Sequence, residues 1–284
     1  MREENIRTVT LLGTPLSQSF AARMQNAAYA AMGEALRYTY TETDEKQLPA
    51  VVERLRGEDI PGFAVTKPNK VAVLPLLDEL DPLCEKMGAA NTVVRLPDGK
   101  LKGYNTDGIG FYTALTRETG MEVSGRTFFC VGAGGAGRAI CSVLAHYGAG
   151  CIYITDLYDT AAKALAEEIC EKFAPVARFV PHGDWSSLGD CDCIINASGV
   201  GMGESVGESP VPKELLRSDQ LCFDACYNPA RTQFLLDAQE QGCPVMNGLG
   251  MSLYQGVAQI ELWTGREAPV EVMRQELLDI ISGK

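Results

Sequence analysis

A glycine-rich turn, Gly132-Ala133-Gly134-Gly135-Ala136-Gly137, most constrains what this chain can fold into. Glycines spaced this way are common in loops, so their surroundings decide the reading. The turn follows the apolar run Thr127-Phe128-Phe129-Cys130-Val131 and opens the helix-like run Arg138-Ala139-Ile140-Cys141-Ser142-Val143-Leu144. That is the strand-turn-helix context of a Rossmann-type dinucleotide site. Gly132 would make the tight turn, Gly134 would let the backbone approach a pyrophosphate, and Gly137 would let the helix pack closely on the strand. The phosphates then meet the unpaired amides of the helix N-terminus.

A second mark of such a site is an acidic residue about 20 positions further on, at the end of the next strand. Asp156 closes Ile152-Tyr153-Ile154-Thr155. Its carboxylate would accept hydrogen bonds from the adenosine ribose hydroxyls, and a 2′-phosphate there would meet like charge. Leu157, Tyr158, Asp159 and Thr160 follow without Arg or Lys. The expected cofactor is therefore NAD, with NADP as the alternative.

From Thr127 onward strands and helices alternate: a helix to Tyr147 stopped by Gly148, a strand Cys151 to Thr155, a helix Ala161 to Phe173, then strands near Phe179, Ile194, Phe223 and Val245. Alternation of that length implies a doubly wound parallel sheet. The first hundred residues also read as α/β. Strands are expected at Val9 to Leu12, Leu36 to Tyr40 and Gly62 to Thr66, with helices from Ala21 to Ala31, closed by Gly33, and from Leu48 to Leu55. Asn91 to Asp107, turning at Pro97-Asp98-Gly99, reads as a hairpin. The fold class is thus α/β in two domains. Residues 1–106 are assigned to substrate, 107–249 to the dinucleotide, and 250–284 to C-terminal helices packing back on the first domain. With 284 residues, 46% of them hydrophobic, the chain can bury two cores.

A net charge of −12 speaks against nucleic acid or an anionic membrane as partner, and favours a small-molecule substrate. A homodimer fits such a chain, although no stretch specifies one. Met1 to Asn5 lead into a short apolar run interrupted by Gly13, too brief for a signal sequence. No apolar run approaches the roughly 20 residues of a membrane helix, so a cytoplasmic location is expected. The ten cysteines are scattered through apolar stretches, and neither Cys191/Cys193 nor Cys222/Cys226 has Cys-x-x-Cys spacing. They read as reduced, buried thiols, with no metal site.

Hydride transfer needs a proton donor or acceptor beside the reacting carbon. His146 and His182 stand alone, and no Tyr lies four residues before a Lys. A lysine is the next candidate, because burial can make an ammonium a usable acid-base group. Val65-Thr66-Lys67-Pro68-Asn69-Lys70 puts lysines at a strand end, where α/β sheets hold ligands.

With these motifs assembled, the chain resembles the shikimate dehydrogenase family from end to end. The matching segments are Gly13-Thr14-Pro15-Leu16 with Ser19, Val65 to Lys70, Gly88-Ala89-Ala90-Asn91-Thr92, Tyr104-Asn105-Thr106-Asp107-Gly108, the glycine turn, Asn196 to Met202, Tyr227-Asn228-Pro229 and Asn247 to Gly256. Pro68-Asn69-Lys70 and Met24-Gln25-Asn26 are most similar to its quinate/shikimate branch. The resemblance implies Lys70 and Asp107 as the catalytic pair. It places Thr66, Asn91, Asp107 and Gln255 on ring hydroxyls, Ser19 and Tyr227 on the substrate carboxylate, and Ser198 and Gly248 beside the cofactor. The activity implied is oxidation of shikimate or quinate to the 3-dehydro acid, or the reverse.

The resemblance breaks on the substrate side. The family has two serines, one residue apart, that grip the carboxylate after a His. This chain reads Gln18-Ser19-Phe20-Ala21-Ala22, and Ala64 stands where many members have Asn. A hydrogen bond to a charged group is worth about 1.5 to 3 kcal/mol, so the preferred ring acid is the open point. The rival readings are a methylene-tetrahydrofolate dehydrogenase or glutamyl-tRNA reductase relative, disfavoured by Asn105-Thr106-Asp107-Gly108 and Gln255, and a dinucleotide-binding module without chemistry. A mere binder has no need of both Lys70 and Asp107.

Overall fold

The structure is a computed structural model that describes residues 6–17 and 19–282. The opening pentapeptide weighed above against a signal sequence, and Gln18 of the altered serine stretch, lie outside the described residues. The chain forms two compact units. One gathers the described residues up to Gly110 with those from Leu253 onward; the other runs from Phe111 to Ser252. The chain passes between units inside two helices, Thr106–Thr119 and Leu249–Thr264, rather than at loops.

The first unit has a mixed six-stranded sheet. Its strands are β1 (Arg7–Gly13), β2 (Leu36–Glu42), β3 (Gly62–Val65), β4 (Glu79–Leu80), β5 (Thr92–Arg95) and β6 (Leu101–Tyr104), in the order β2-β1-β3-β5-β6-β4. β2, β1 and β3 are parallel, whereas β5 runs antiparallel to β3 and β6. The antiparallel pairing of β5 with β6 follows from the tight turn at Gly99, φ 86°, because a short loop can join only antiparallel neighbours. Helices α1 (Ala21–Met32), α2 (Leu48–Arg56), α3 (Asn69–Ala72) and α4 (Pro82–Met87) join these strands. Gly33 stops α1 in the left-handed conformation at φ 68°, at little cost for a residue without Cβ. Leu12, Leu48, Val52, Leu55, Phe63, Val65, Val93 and Leu101 form the core between α2 and the sheet.

The second unit has an all-parallel sheet of β7 (Thr127–Val131), β8 (Cys151–Thr155), β9 (Ala177–Phe179), β10 (Cys193–Asn196), β11 (Leu221–Asp224) and β12 (Val245–Asn247). The order β12-β11-β10-β7-β8-β9 is the doubly wound arrangement, with one reversal of direction between β7 and β10. Ligands bind such sheets outside the strand carboxyl ends at that switch point. The helices are α5 (Thr106–Thr119), α6 (Gly135–His146), α7 (Asp159–Lys172) and α8 (Gln233–Glu240); α9 (Leu249–Thr264) and α10 (Val270–Ile281) end the chain. Eight of the ten free thiols are buried, and Cys151 and Cys170 are half-buried. Among the described residues no helix is long and apolar enough to cross a membrane.

Candidate active site

In the second unit the glycine turn caps β7 at the switch point. Gly132, at φ 110°, runs so close to the β10 loop that a Cβ there would lie 2.5 Å from Ser198 N. A Cβ on Gly137 would stand 1.9 Å from the Gly132 carbonyl oxygen, so α6 sits directly against the turn. Gly134 and Gly135 differ: a Cβ on either would meet nothing within 4 Å. That open space lies at the N-terminus of α6, where unpaired amides attract anions. Asp156 follows β8, its Oδ2 accepting from Ala133 N (2.7 Å) and its Oδ1 from Tyr158 N (2.9 Å). Each oxygen keeps a lone pair for a further donor. The residues fit a dinucleotide: an open, amide-lined turn for phosphates and a pinned carboxylate for ribose hydroxyls.

The other expected site residues of this unit stand at neighbouring strand ends. Ser198 follows β10; its Oγ donates to Asn196 Oδ1 (2.6 Å) and accepts from Val200 N (3.2 Å). Gly248 follows β12, and a Cβ there would lie 2.1 Å from the Ala225 carbonyl oxygen. Tyr227 is half-buried after β11, its hydroxyl pKa raised by burial and by the Cys226 thiol. Sequence reasoning passed over Asp224, fully buried at the end of β11. It accepts from Asn196 Nδ2 (2.9 Å), Cys226 N (2.9 Å) and Thr232 Oγ1 (2.5 Å) and so ties the end of β10 to both ends of the β11–α8 connection. Burial raises its carboxyl pKa, against the lowering effect of these donors.

In the first unit Lys70, on α3, donates from Nζ to Asp107 Oδ2 at 2.6 Å. Asp107 is in the first turn of α5, which Asn105 starts by accepting from Asp107 N (3.1 Å) and Gly108 N (3.4 Å). Asn91, before β5, donates to Asp107 Oδ1 at 2.8 Å, so each carboxylate oxygen has its own donor. The burial expected of the lysine is only partial: the Lys70 side chain is 33% exposed and that of Asp107 19%.

Thr66, just after β3, and Gln255, on α9, are half-buried, and neither side chain makes a hydrogen bond among the described residues. Ser19 precedes α1, where its Oγ accepts from Ala21 N at 3.4 Å. Tyr40 Oη donates to Ser19 O (2.8 Å) and accepts from Ala22 N (2.9 Å), so internal groups occupy this helix start. Thr92, Gln259 and Gln25 form a buried polar set behind Asn91 that sequence reasoning did not assign. Gln259 could have been found: it stands four residues after Gln255, polar amid apolar neighbours.

An open glycine turn on a parallel sheet in one unit and a lysine held on a carboxylate in the other are what a nicotinamide-dependent dehydrogenase needs. Similarity narrows the class. Residues 11–93 match the shikimate dehydrogenase substrate binding domain, and residues 248–278 the shikimate 5′-dehydrogenase C-terminal domain. The shikimate dehydrogenase (NADP(+)) of Moorella thermoacetica is 40% identical over 272 residues, 95% of this chain and 92% of that protein. Among solved structures, shikimate 5-dehydrogenase from Listeria monocytogenes in complex with shikimate and NAD has TM-score 0.92 and 35% identity, covering 96% of this chain and 97% of its own. The ligand-free 5-ketofructose reductase of Gluconobacter sp. strain CHM43 has TM-score 0.88 and 33% identity, covering 96% and 98%. This chain belongs to the shikimate dehydrogenase family.

Proposed function

We propose that the chain is an NAD-preferring dehydrogenase that moves hydride between nicotinamide and a ring carbon of a hydroxylated cyclic acid of the shikimate or quinate type. The observation that carries this is Lys70 Nζ on Asp107 Oδ2 at 2.6 Å, in a chain that also bears the open glycine turn. When bound, the nicotinamide accepts or supplies the hydride. Lys70 takes the proton of the oxidised hydroxyl and returns it to the carbonyl oxygen in the reverse direction. Asp107 aims the lysine through the hydrogen bond between them. Thr66 and Gln255 have side chains free for ring hydroxyls and Asp107 a lone pair for one, Asn91 stands behind them with its amide committed to Asp107 and Thr106, and Ser19 and Tyr227 take the carboxylate.

The turn Gly132 to Gly137 holds the pyrophosphate, with Ser198 and Gly248 at its margin. Asp156 takes the ribose and repels a 2′-phosphate. Absorbance at 340 nm with shikimate and quinate, each with NAD and NADP, tests both claims. We expect turnover with kcat/KM at least tenfold higher for NAD. An equal or reversed ranking removes the NAD preference, and no turnover of either acid removes the substrate class.

One observation favours a second reading. The start of α1 bears alanines at 21 and 22, and its Ala21 and Ala22 amides already meet Ser19 and Tyr40. The similar Gluconobacter enzyme is named for 5-ketofructose, which has no carboxylate. Faster reduction of a carboxylate-free ketose than of the dehydro acids decides for this reading.

A further inference from the structure

Asn91 holds Asp107 and is itself held. Its Nδ2 donates to Asp107 Oδ1 (2.8 Å) and Thr106 Oγ1 (3.0 Å), while its Oδ1 accepts from Thr106 N (2.8 Å) and Thr92 Oγ1 (2.9 Å). A carboxamide has two protons and two lone pairs, so the whole capacity of Asn91 is spent inside the protein. Behind it the chain of donors continues. Gln259 Nε2 donates to Thr92 Oγ1 (2.9 Å), and Gln25 Nε2 donates to Gln259 Oε1 (3.0 Å). Gln25, Gln259, Thr92 and Asn91 are all exposed by 3% or less.

Groups that cannot change role fix the direction of this relay. The Asp107 carboxylate accepts and the Thr106 amide donates, which sets the orientation of Asn91. Gln259 Nε2 also faces the Asn91 carbonyl (3.5 Å), and Gln25 Nε2 the Gly256 carbonyl (3.5 Å). Turning either amide over would place oxygen against oxygen. Thr92 therefore accepts from Gln259, and its single proton goes to Asn91 Oδ1 at 2.9 Å, nearer than its other hydroxyl neighbour, Thr106 Oγ1 at 3.2 Å. Gln25 Oε1, at the far end, is left without a partner.

We infer that Gln259 is a positioning residue for the proton-handling pair. By donating to Thr92 it commits the Thr92 hydroxyl to Asn91, and so keeps the Asn91 amide, the Asp107 carboxylate and the Lys70 ammonium in one arrangement. Gln25 orients Gln259. The inference rests on the reading of Lys70 and Asp107 as that pair.

Gln259→Glu tests it, because the side chain keeps its shape and changes only its donors. Ionised, the introduced carboxylate accepts only and draws the Thr92 proton away from Asn91. Protonated, it donates to Thr92 and restores the pattern. Burial raises the pKa of a carboxyl in such a place, which brings the switch into an accessible range. We expect kcat at pH 9 to fall at least tenfold with KM for the cyclic acid within twofold of wild type, and to recover as the pH is lowered. Gln259→Leu and Thr92→Val should stay slow at every pH. The side-chain amide resonance of Asn91, assigned with Asn91→Asp, should move with pH in Gln259→Glu and not in wild type. Wild-type kcat in both Gln259→Glu and Thr92→Val, or an Asn91 resonance indifferent to the introduced carboxyl, overturns the inference. Near-normal turnover of Lys70→Ala instead overturns the underlying reading, and with it the catalytic part of the inference, while the Asn91 resonance still reports the relay.

Discussion

Replacing Gly134 by alanine separates the folding of the glycine turn from its binding. Gly134 sits at φ −73° and ψ −165°, extended backbone open to any L residue, and no atom lies within 4 Å of the added Cβ. The free protein should lose nothing, and should gain about 0.4–1 kcal/mol because alanine restricts the unfolded chain. With a dinucleotide bound, that methyl stands in the space left for the pyrophosphate. Loss of one charge-assisted hydrogen bond, about 1.5–3 kcal/mol, weakens binding roughly ten- to a hundredfold. The assay is thermal unfolding with and without NAD. At a hundred times the wild-type Kd, NAD stabilises the wild type by about 2.7 kcal/mol and a variant with a tenfold weaker site by about 1.4 kcal/mol. Gly137→Ala is the contrast. Its Cβ meets the Gly132 carbonyl oxygen at 1.9 Å and carbon at 2.9 Å, backbone that cannot yield, so the free protein should be destabilised by about 1–3 kcal/mol or more. A Gly134→Ala protein with the full wild-type NAD shift would refute the assignment of that space to phosphate.

Asp156→Ser should reduce kcat/KM for NAD and raise it for NADP, bringing the two within about tenfold; an unchanged ratio in parallel assays places the discrimination elsewhere. Asp224→Ala leaves the Cys226 amide, the Thr232 hydroxyl and one proton of the Asn196 amide without their acceptor, at about 1–3 kcal/mol each. Urea unfolding should show a loss of 3 kcal/mol or more. Burial, with nearby carboxylates, pushes the Cys84 and Cys191 thiols up to about 12 from 9.0. The folded state then binds protons more tightly than the unfolded one. Stability from these thiols is complete below pH 9 and declines as the pH rises from 9 toward 12. Unfolding at stepped alkaline pH should show that fall, diminished in Cys84→Ala relative to wild type at neutral pH, and both thiols should resist a thiol reagent at pH 8 in the folded protein.

The parts of the fold that were legible in the sequence are those with local causes. The glycine turn, the stop at Gly33 and the β5–β6 hairpin are each set by residues within a few positions of one another. The strand order of the mixed sheet was not legible, because pairing is decided by contacts far apart in the chain. β4 has only two residues, Glu79 and Leu80, too few to show any period. The site divides in the same way. Asp156 could be reached by counting from the turn, whereas Lys70 and Asp107, 37 residues apart, were joined only through the family resemblance. Gln259 reaches Thr92 across 167 residues, a link that no local pattern encodes.

In the proposed reaction Lys70, held on Asp107, handles the proton of a ring hydroxyl while a nicotinamide takes the hydride. The most direct measurement is NAD(P)H formation at 340 nm from shikimate and from quinate, by wild type and by Lys70→Ala, with NAD affinity measured on both. Wild type should turn over, kcat should be lower by about 10²–10⁴ in Lys70→Ala, and NAD affinity should be equal in the two. Turnover by Lys70→Ala at the wild-type rate would contradict that role of Lys70.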